Sequence, residues 1–420
     1  MSKKLKVHEV FGQSRKIPLN YIERPKVDEV FRNSLKFNKH LVIYGSSKQG
    51  KTSLRKYNLE EEKYISVHCS NIWDIGQLNA QILKRAGFEL TVSSSKTIDG
   101  KAKVKADFNL FTFLKAGGEI EEGESENTQQ KPLELDIYDS NDIISALKSI
   151  DFDKYIILED FHYLKEEVQT DFAFELKAFH ENSNYTFIIV GVWLEDNRLT
   201  LLNGDLAGRI YAINADSWSS DQLKRVINKG AELLNISFIN ELTLDIIKWS
   251  LGSVFICQEI CLQICISNGI DEKQFHLLNI TKEIDVYEIT KRIINQQTGR
   301  YNAFLRAFYY GFQSTDLEMH KWLMYPILKA KVEDLTHGLS YKFIKDTIRE
   351  KHPRKEKLNL GNLTGALNSA ASLQIKKNIK PNIIDYDQTN LILNIVDKGF
   401  LIWLIFQKKA ELLESIELPI

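Results

Sequence analysis

The segment that most constrains the fold of this chain is Gly45-Ser46-Ser47-Lys48-Gln49-Gly50-Lys51-Thr52, which fits the pattern G-x-x-x-x-G-K-[ST]. It directly follows residues 41–44, an apolar run with the length and composition of a buried strand. A strand, a glycine-rich turn and a helix that begins near Lys51 would direct backbone N–H groups and the positive helix end at one point. The segment therefore predicts a phosphate-binding loop in an α/β fold.

Two side chains of this loop have expected roles. Lys51 would reach the β- and γ-phosphates of a nucleotide, and the Thr52 hydroxyl would ligate Mg²⁺. The alternative is a chance match in a glycine- and serine-rich turn between a strand and a helix. The strand before the loop and the helix start at Ser53 favour the phosphate loop.

Composition limits the broad class of the protein. The chain has 420 residues, with 55 Lys and Arg against 56 Asp and Glu, so its net charge of −1 predicts neither nucleic-acid nor membrane binding. The longest apolar stretch, residues 400–406, is too short to span a bilayer. We therefore expect a cytoplasmic protein of about two or three domains with no membrane contact.

The cysteine pattern indicates packing. Cys257, Cys261 and Cys265 recur every four residues and so lie along one helix face. One helix spreads them over about 12 Å, which is too far for a shared metal ion. Because isoleucines surround them, we expect small buried side chains.

Strands and helices alternate through the first half of the chain, which indicates a doubly wound parallel sheet. The predicted strands are residues 41–44, 64–69, 154–158, 185–193 and 210–213.

An insertion of about residues 91–135 interrupts this alternation. Apolar residues occupy every second position from Ala102 to Leu110, with lysines between them, as in a strand. Gly117-Gly118 indicates a turn, and the acidic residues 119–122 follow it. We expect a β-hairpin whose lysine and glutamate faces pair across strands. It would serve either as a sensing or subunit-contact element or as a solvated excursion of the chain.

The strand at 154–158 ends in Glu159 and Asp160. Ligands bind at the carboxyl ends of strands in open α/β sheets, so these acids would face the same site as the phosphate loop.

Beyond Trp218 the pattern becomes helical. Three helices are predicted over about 221–233, 240–250 and 254–268, and further helices follow. Residues 341–406 have the order helix, helix and hairpin that is typical of a winged helix.

These motifs resemble the AAA+ ATPases, in particular the prokaryotic origin-recognition-like and STAND-type (signalling NTPase) branch. The resemblance covers about residues 20–270 and, more weakly, 340–406. It implies a P-loop ATPase core at 1–218, a helical lid at 219–280, and a helical linker with a winged helix at 281–420. It implies ATP and Mg²⁺ as cofactors, with the metal held by Thr52 and Glu159. The residues that it assigns to ATP are Glu23, Arg24, Gly45, Ser46, Ser47, Lys48, Gln49, Gly50, Lys51, Thr52 and Ser53.

The resemblance also suggests residues for hydrolysis. Lys51, Glu159 and Asp160 would act within one subunit, and Arg209 in Gly204-Asp205-Leu206-Ala207-Gly208-Arg209 resembles the arginine finger that reaches a neighbouring subunit's γ-phosphate. The alternative for Arg209 is a structural ion pair, for example with Asp205.

Two features depart from the family pattern. The acids stand in the order Glu159-Asp160, whereas the family has Asp then Glu; Asp160 is one methylene shorter than the usual base, so we expect slow hydrolysis. No arginine stands near Gly252-Ser253-Val254-Phe255, where many members carry a sensor arginine. Asn197 would be the polar sensor after the fourth strand, although Trp193, Glu195 and Arg198 crowd the same turn. Lys48 is expected to be an exposed lysine on the loop.

The winged helix has two alternative roles. Basic residues flank its second helix, but residues 359–373 contain no Lys or Arg for base contacts, so it would serve either DNA binding or protein interaction and autoinhibition. The flanking basic residues are Arg349, Lys351, His352, Arg354, Lys355, Lys357, Lys376, Lys377 and Lys380.

From these features we expect a slow ATP-dependent switch in oligomerisation or signalling, such as bacterial defence, with ATP between the subunits of a homo-oligomer and any effector on a separate chain. The alternative is an ATP-dependent DNA-binding regulator or loader.

Overall fold

The computed structural model describes residues 5–12, 16–98, 101–108, 133–216, 218–280, 284–312 and 315–420. Its strands are β1 (His40–Tyr44), β2 (Tyr64–His68), β3 (Phe88–Ile98), β4 (Lys101–Phe108), β5 (Leu133–Leu135), β6 (Tyr155–Glu159), β7 (Phe187–Val190), β8 (Ile210–Asn214), β9 (Ile236–Phe238), β10 (Leu278–Ile280), β11 (Leu339–Ser340), β12 (Ile384–Asp387) and β13 (Ile392–Ile395).

The helices of the first half are α1 (Val7–Val10), α2 (Pro25–Ser34), α3 (Lys51–Asn58), α4 (Ile75–Arg85), α5 (Ser140–Lys148), α6 (Glu166–Asn182), α7 (Arg198–Leu202), α8 (Ser220–Leu234), α9 (Asn240–Ser250) and α10 (Val254–Ser267). Those of the second half are α11 (Val286–Asn295), α12 (Thr298–Tyr310), α13 (Met319–Lys329), α14 (Val332–Thr336), α15 (Tyr341–Lys351), α16 (Leu360–Asn368), α17 (Ala370–Lys376), α18 (Lys398–Ile405) and α19 (Lys409–Ser415). Short 3-10 turns lie at Glu61–Lys63, Phe161–Tyr163, Gly204–Leu206 and Lys355–Lys357.

The five predicted parallel strands form one sheet in the order β2-β6-β7-β1-β8. Every residue of β1 is buried, and its side chains alternate between the two faces of the sheet. Leu41 and Ile43 pack with α2 and α3, whereas Val42 and Tyr44 join the core that α4, α5 and α6 cover. The expected doubly wound core is therefore confirmed, and the phosphate loop and Glu159 both follow carboxyl ends of its strands.

The insertion contains the strand predicted at 102–110, as β4. Its described partners are β3, which begins at Phe88, and β5, and both pairings are antiparallel. The turn at Gly117-Gly118 and the acidic residues 119–122 lie outside the described residues. The apolar alternation Phe88, Leu90, Val92 explains β3: Phe88 pairs with Phe108 in register and is buried.

The helices after β8 confirm the predicted helical segments. α8, α9 and α10 pack around β9 and β10, and the thiols of Cys257, Cys261 and Cys265 are fully buried in α10, as expected. Their hydrophobic core continues into the C-terminal half, so the expected lid and the expected C-terminal domain share one cluster of buried side chains from Val7 to Leu418.

The C-terminal region has the predicted order of helices followed by a hairpin. β12 and β13 form an antiparallel pair whose outer neighbour is β11, and α13, α15, α16 and α17 precede the hairpin in the chain. This arrangement fits a winged helix. We call residues 384–395 the wing. Within the described part of the chain, no helix has the length and apolar character needed to cross a membrane.

Candidate nucleotide-binding site

The phosphate loop joins β1 to α3 with the geometry that its glycines allow. Gly45 has φ +146° and Gly50 has φ +83°, both in the region that disfavours side chains. A Cβ at Gly45 would also lie 2.8 Å from the backbone nitrogen of Asp216. The first N–H groups of α3 have no partner within the helix and are free to face an anion.

Lys51 is buried at the start of α3. Its Nζ donates to the carbonyl oxygens of Gly45 at 2.9 Å and Ser46 at 2.6 Å, so it closes the loop on itself. Burial lowers its pKa to about 8, against the opposing effect of Asp216, Asp160 and Glu159. Its neighbour Thr52 is exposed. The Lys51 ammonium thus lies within the loop, near the carboxylates of Asp216, Asp160 and Glu159.

The loop borders a cavity of about 500 Å³, a volume in the usual range for small-molecule sites. Phosphate-loop residues 47–53 line one side, and residues that follow β6 and β7 line another. α10 and the C-terminal region close it. The lining residues from outside the phosphate loop include Glu159, Asp160, His162, Tyr163, Val190, Val192, Val254, Phe255, Gln258 and Pro381. The structure thus brings the predicted loop and both predicted acids to one cavity.

Glu159 is buried in an ion pair that the sequence did not indicate. Arg55, one turn after Lys51 in α3, donates to Glu159 Oε1 through Nη2 at 2.9 Å and Nε at 3.0 Å. The Arg55 guanidinium also lies 4.5 Å from the centre of the Tyr64 ring. The pair fixes the Glu159 carboxylate behind the phosphate loop.

Asp160 is the more accessible acid. It has a left-handed backbone (φ 59°), and 49% of its side chain is exposed. Burial alone would raise its pKa, but the nearby His68 and His162 rings and the positive charge of Lys51 give a net lowering of the pKa. The distance from His68 Nδ1 to Asp160 Oδ2 is 3.8 Å. Asp160 is thus ionised and faces the cavity with His68 beside it.

His162 is a site residue that sequence reasoning missed. Its side chain is buried, burial lowers its pKa to about 3, and the ring lines the cavity beside Asp160. The position of His162, three residues after Glu159, did not indicate a site residue. The 3-10 turn at Phe161–Tyr163 places its ring at the cavity.

Glu23 and Arg24 lie apart from the cavity lining. Arg24 is buried, 4.2 Å from the Trp218 ring centre, and donates to the Ala215 carbonyl. Glu23 is bound to Arg32 and faces a separate open hollow. Arg24 acts on the loop indirectly, since Trp218 Nε1 donates to the carbonyl oxygen of Gln49 at 3.1 Å.

Arg209 lies at the amino-terminal end of β8, the opposite edge of the sheet from the phosphate loop. Its guanidinium binds Glu181 at 2.8 Å and the Asp205 carbonyl. The Asp205 carboxylate pairs with Lys177 instead. Arg209 therefore cannot serve the cavity of its own chain, and only a role across a subunit interface would bring it to a nucleotide.

The C-terminal region contacts the phosphate loop directly. The Ser47 N–H donates to the Val396 carbonyl at 2.9 Å, and the Ser46 N–H donates to Asp216 Oδ1 at 2.8 Å. Lys398 Nζ lies 3.6 Å from Asp216 Oδ2, so one carboxylate holds both the loop and α18. Lys48 is exposed, as expected, with its ammonium 4.0 Å from the centre of the Phe255 ring.

The loop after β7 is bound to the wing. Asn197 and Glu195 both contact the Thr389 hydroxyl, each at 3.0 Å. Arg198 binds both carboxylate oxygens of Asp385 at 3.1 Å, and this pair is buried. The candidate sensor Asn197 is thus engaged with the wing. Sequence reasoning could not find Asp216, Val396, Asp385 or Thr389, because each is distant from its partner along the chain.

Comparison with solved structures identifies the fold. A Walker-type ATPase of Pyrococcus abyssi matches with a TM-score of 0.52 and 14% identity, over 94% of this chain and 99% of that chain. The two proteins share a fold. The Aeropyrum pernix ORC2 protein covers 98% of this chain and 99% of its own, at 12% identity and TM-score 0.47. The Aeropyrum pernix ORC1 protein in complex with DNA covers 98% of both, at 10% and 0.46.

No protein-family model and no curated protein sequence matches the chain. At 14% identity the likeness to the Pyrococcus abyssi ATPase concerns the fold alone. The activity must therefore be argued from the cavity and its residues.

Replacing Arg55 tests the buried pair. Arg55→Ala would leave the Glu159 carboxylate buried without a counter-charge, so we expect the free energy of unfolding to fall by about 3–5 kcal/mol. Urea denaturation measures this. Adding Glu159→Gln in the same chain should recover much of the loss, because the buried charge is then gone. A loss below about 1 kcal/mol in Arg55→Ala would contradict a buried, stabilising pair.

Proposed function

We propose that the protein is an ATP-binding AAA+/STAND-type switch that hydrolyses ATP slowly and whose nucleotide state sets the position of its C-terminal region. The observation that carries this proposal is the contact between the phosphate loop and residues 396–398. Adjacent loop N–H groups, of Ser46 and Ser47, are held by Asp216 and by the Val396 carbonyl. A phosphate that reshapes the loop must therefore disturb the C-terminal contact.

The residues of the cavity fit a magnesium nucleotide. The amides of residues 50–53 and the Lys51 ammonium would hold phosphate oxygens. The Thr52 hydroxyl and the Glu159 carboxylate are oxygen donors, which Mg²⁺ prefers. The ion would neutralise phosphate charge during transfer. Asp160 would accept a hydrogen bond from the attacking water.

Slow hydrolysis follows from the state of the two acids. The Glu159 carboxylate is paired with the Arg55 guanidinium, which weakens its attraction for a metal ion. Asp160 has a short side chain, a constrained backbone and a lowered pKa, so it is a weak base. Both features favour a nucleotide that is held for long periods over one that is turned over rapidly.

The wing supplies a second link between nucleotide and C-terminal region. The loop after β7 lines the cavity at Val190 and Val192 and contacts the wing at Glu195, Asn197 and Arg198. Movement of this loop in response to a phosphate would therefore release or hold the wing.

Oligomerisation extends the proposal. Arg209 would complete a neighbour's site, which places ATP between the subunits of a homo-oligomer, and a separate effector protein would read the assembled state. A role in bacterial defence or signalling is consistent with such a switch.

DNA binding is the second candidate function, and basic side chains around α15 favour it. Lys345, Arg349, Lys355 and Lys357 have no ion pair among the described residues. Two observations oppose it: α16 carries no Lys or Arg, and the wing is docked on the core. His352, counted among the basic flanks from the sequence, is buried against Trp322 and cannot face a phosphate.

The switch is tested by adding Mg²⁺ with a non-hydrolysable ATP analogue. We expect faster hydrogen exchange in the wing and a larger mass by light scattering, because the loop would release Val396 and expose subunit contacts. Lys51→Ala should lack both responses. Turnover should stay well below the tens per second that phosphoryl-transfer enzymes commonly reach. A monomer whose exchange does not respond to nucleotide would contradict the switch.

The docking of the wing should depend on pH through Glu195. Burial raises the pKa of Glu195 to about 7, with Asp387 and Asp385 adding to the effect and Thr389 and Arg198 opposing it. Release of the wing would return the pKa toward 4.5, so the docked form binds the proton more tightly. The stabilising effect of that proton is complete below pH 4.5 and disappears as the pH rises through about 7.

We therefore expect the wing of Glu195→Gln to exchange more slowly than wild type at pH 8 and equally at pH 4. Hydrogen exchange of both proteins, compared at the same pH, measures this. Equal exchange at pH 8 would show that the Glu195 charge does not act on the wing.

The finger role of Arg209 is separated from its structural role by a matched pair of variants. Arg209→Ala should lose ATP hydrolysis and keep ATP binding. Glu181→Ala breaks the same ion pair but keeps the guanidinium, so it should keep hydrolysis. Equal loss of hydrolysis in both variants, or loss of folding in Arg209→Ala, would support a purely structural arginine.

A further inference from the structure

The buried side chain of His162 has an unused hydrogen-bond donor at the wall of the nucleotide cavity. Its residue is 3% exposed, and it lines the cavity together with Lys51 and Asp160. The Nε2 atom is buried and has no hydrogen-bond partner among the described residues. Buried polar atoms nearly always have a partner, so an unpaired one at a cavity wall indicates a ligand.

The neighbouring backbone fixes which nitrogen carries the proton. The Val192 N–H donates to His162 Nδ1 at 3.3 Å, so Nδ1 must present its lone pair. In a neutral imidazole the proton is then on Nε2. The free atom is therefore a donor, and its partner must be an acceptor.

The Val192 N–H and the Tyr163 ring both contact the His162 ring and hold its orientation. The His162 ring packs against Tyr163 with 4.0 Å between ring centres, and the Lys380 ammonium lies 4.6 Å from the centre of the Tyr163 ring on the C-terminal side. Lys51, Arg198 and Lys380 contribute positive charge around His162, and Asp160 contributes negative charge. Because Arg198 is neutralised by Asp385, the positive charge near the ring comes from Lys51 and Lys380, and it favours an anionic acceptor.

The position of the ring in the sheet selects one part of a nucleotide. The amides at the start of α3 follow β1, whereas His162 follows β6, and β7 lies between these strands. A triphosphate held by the α3 amides would extend across the end of β7 toward Asp160, with its terminal phosphate nearest β6. His162 lies on that far side.

We propose that the Nε2–H of His162 donates a hydrogen bond to the terminal phosphate of ATP and so distinguishes ATP from ADP. This inference rests on the proposed ATP site. His162 also holds the Val192 N–H, and Val192 begins the loop that binds the wing. The terminal phosphate is thus connected through one ring to the segment that contacts Thr389 and Asp385.

Two substitutions test the two ring nitrogens of His162 separately. His162→Asn keeps an acceptor near the position of Nδ1 for Val192 but lacks a donor at the position of Nε2. His162→Gln places an amide N–H₂ near the position of Nε2. Calorimetric titration of each purified full chain with Mg²⁺ and adenylyl imidodiphosphate, and separately with Mg²⁺ and ADP, measures the selectivity.

We expect His162→Asn to bind the triphosphate analogue about tenfold more weakly or worse while ADP affinity stays within about twofold of wild type, as for loss of a hydrogen bond to a charged group. His162→Gln should recover part of the selectivity. The unchanged ADP affinity also shows that the site is folded.

Other outcomes are equally decisive. Suppose that the wild-type chain binds both the ATP analogue and ADP. If His162→Asn then weakens both ligands equally or weakens neither, the inference is overturned and the ATP site still stands. Failure of the wild-type chain to bind either nucleotide would overturn the proposed function and this inference together.

Discussion

The backbone of the phosphate loop is the constraint on which the rest of the molecule depends. Its first two serine N–H groups are bound by the protein itself, one by the Asp216 carboxylate and one by the Val396 carbonyl. Asp216 in turn attracts Lys398 of α18. A loop that in isolation would only hold phosphate is therefore also the attachment point of the C-terminal region. In the proposed switch, ligand binding and movement of the C-terminal region would be the same physical event.

The parts of this structure that local sequence determines were predictable. The phosphate loop, the parallel strands and the amphipathic helices follow from glycine placement and hydrophobic periodicity within a few residues. Partners that are distant in the chain were not: Arg55 with Glu159, Val396 with Ser47, and Thr389 with Asn197. The strand that pairs with β4 from its amino-terminal side was also missed, although the apolar alternation that begins at Phe88 indicates it.

The acids of the site illustrate why a motif underdetermines chemistry. Glu159 and Asp160 are adjacent in sequence, yet one is buried against a guanidinium and the other turns outward on a left-handed backbone beside His68. Their environments give them unequal availability to a metal or to water. The order of the two acids departs from the AAA+ pattern that the sequence resembles, and the geometry shows that each acid has a different environment.

The hydrophobic core shared by α8–α10 and the C-terminal helices has a mechanical consequence. Side chains from Val7 to Leu418 pack in one cluster, and separating them would expose a large apolar area to water. We therefore expect the lid and the C-terminal helices to move as one rigid body that pivots at the phosphate loop. The wing, which contacts the loop after β7, would move with it. The three domains expected from the sequence would thus move as two bodies.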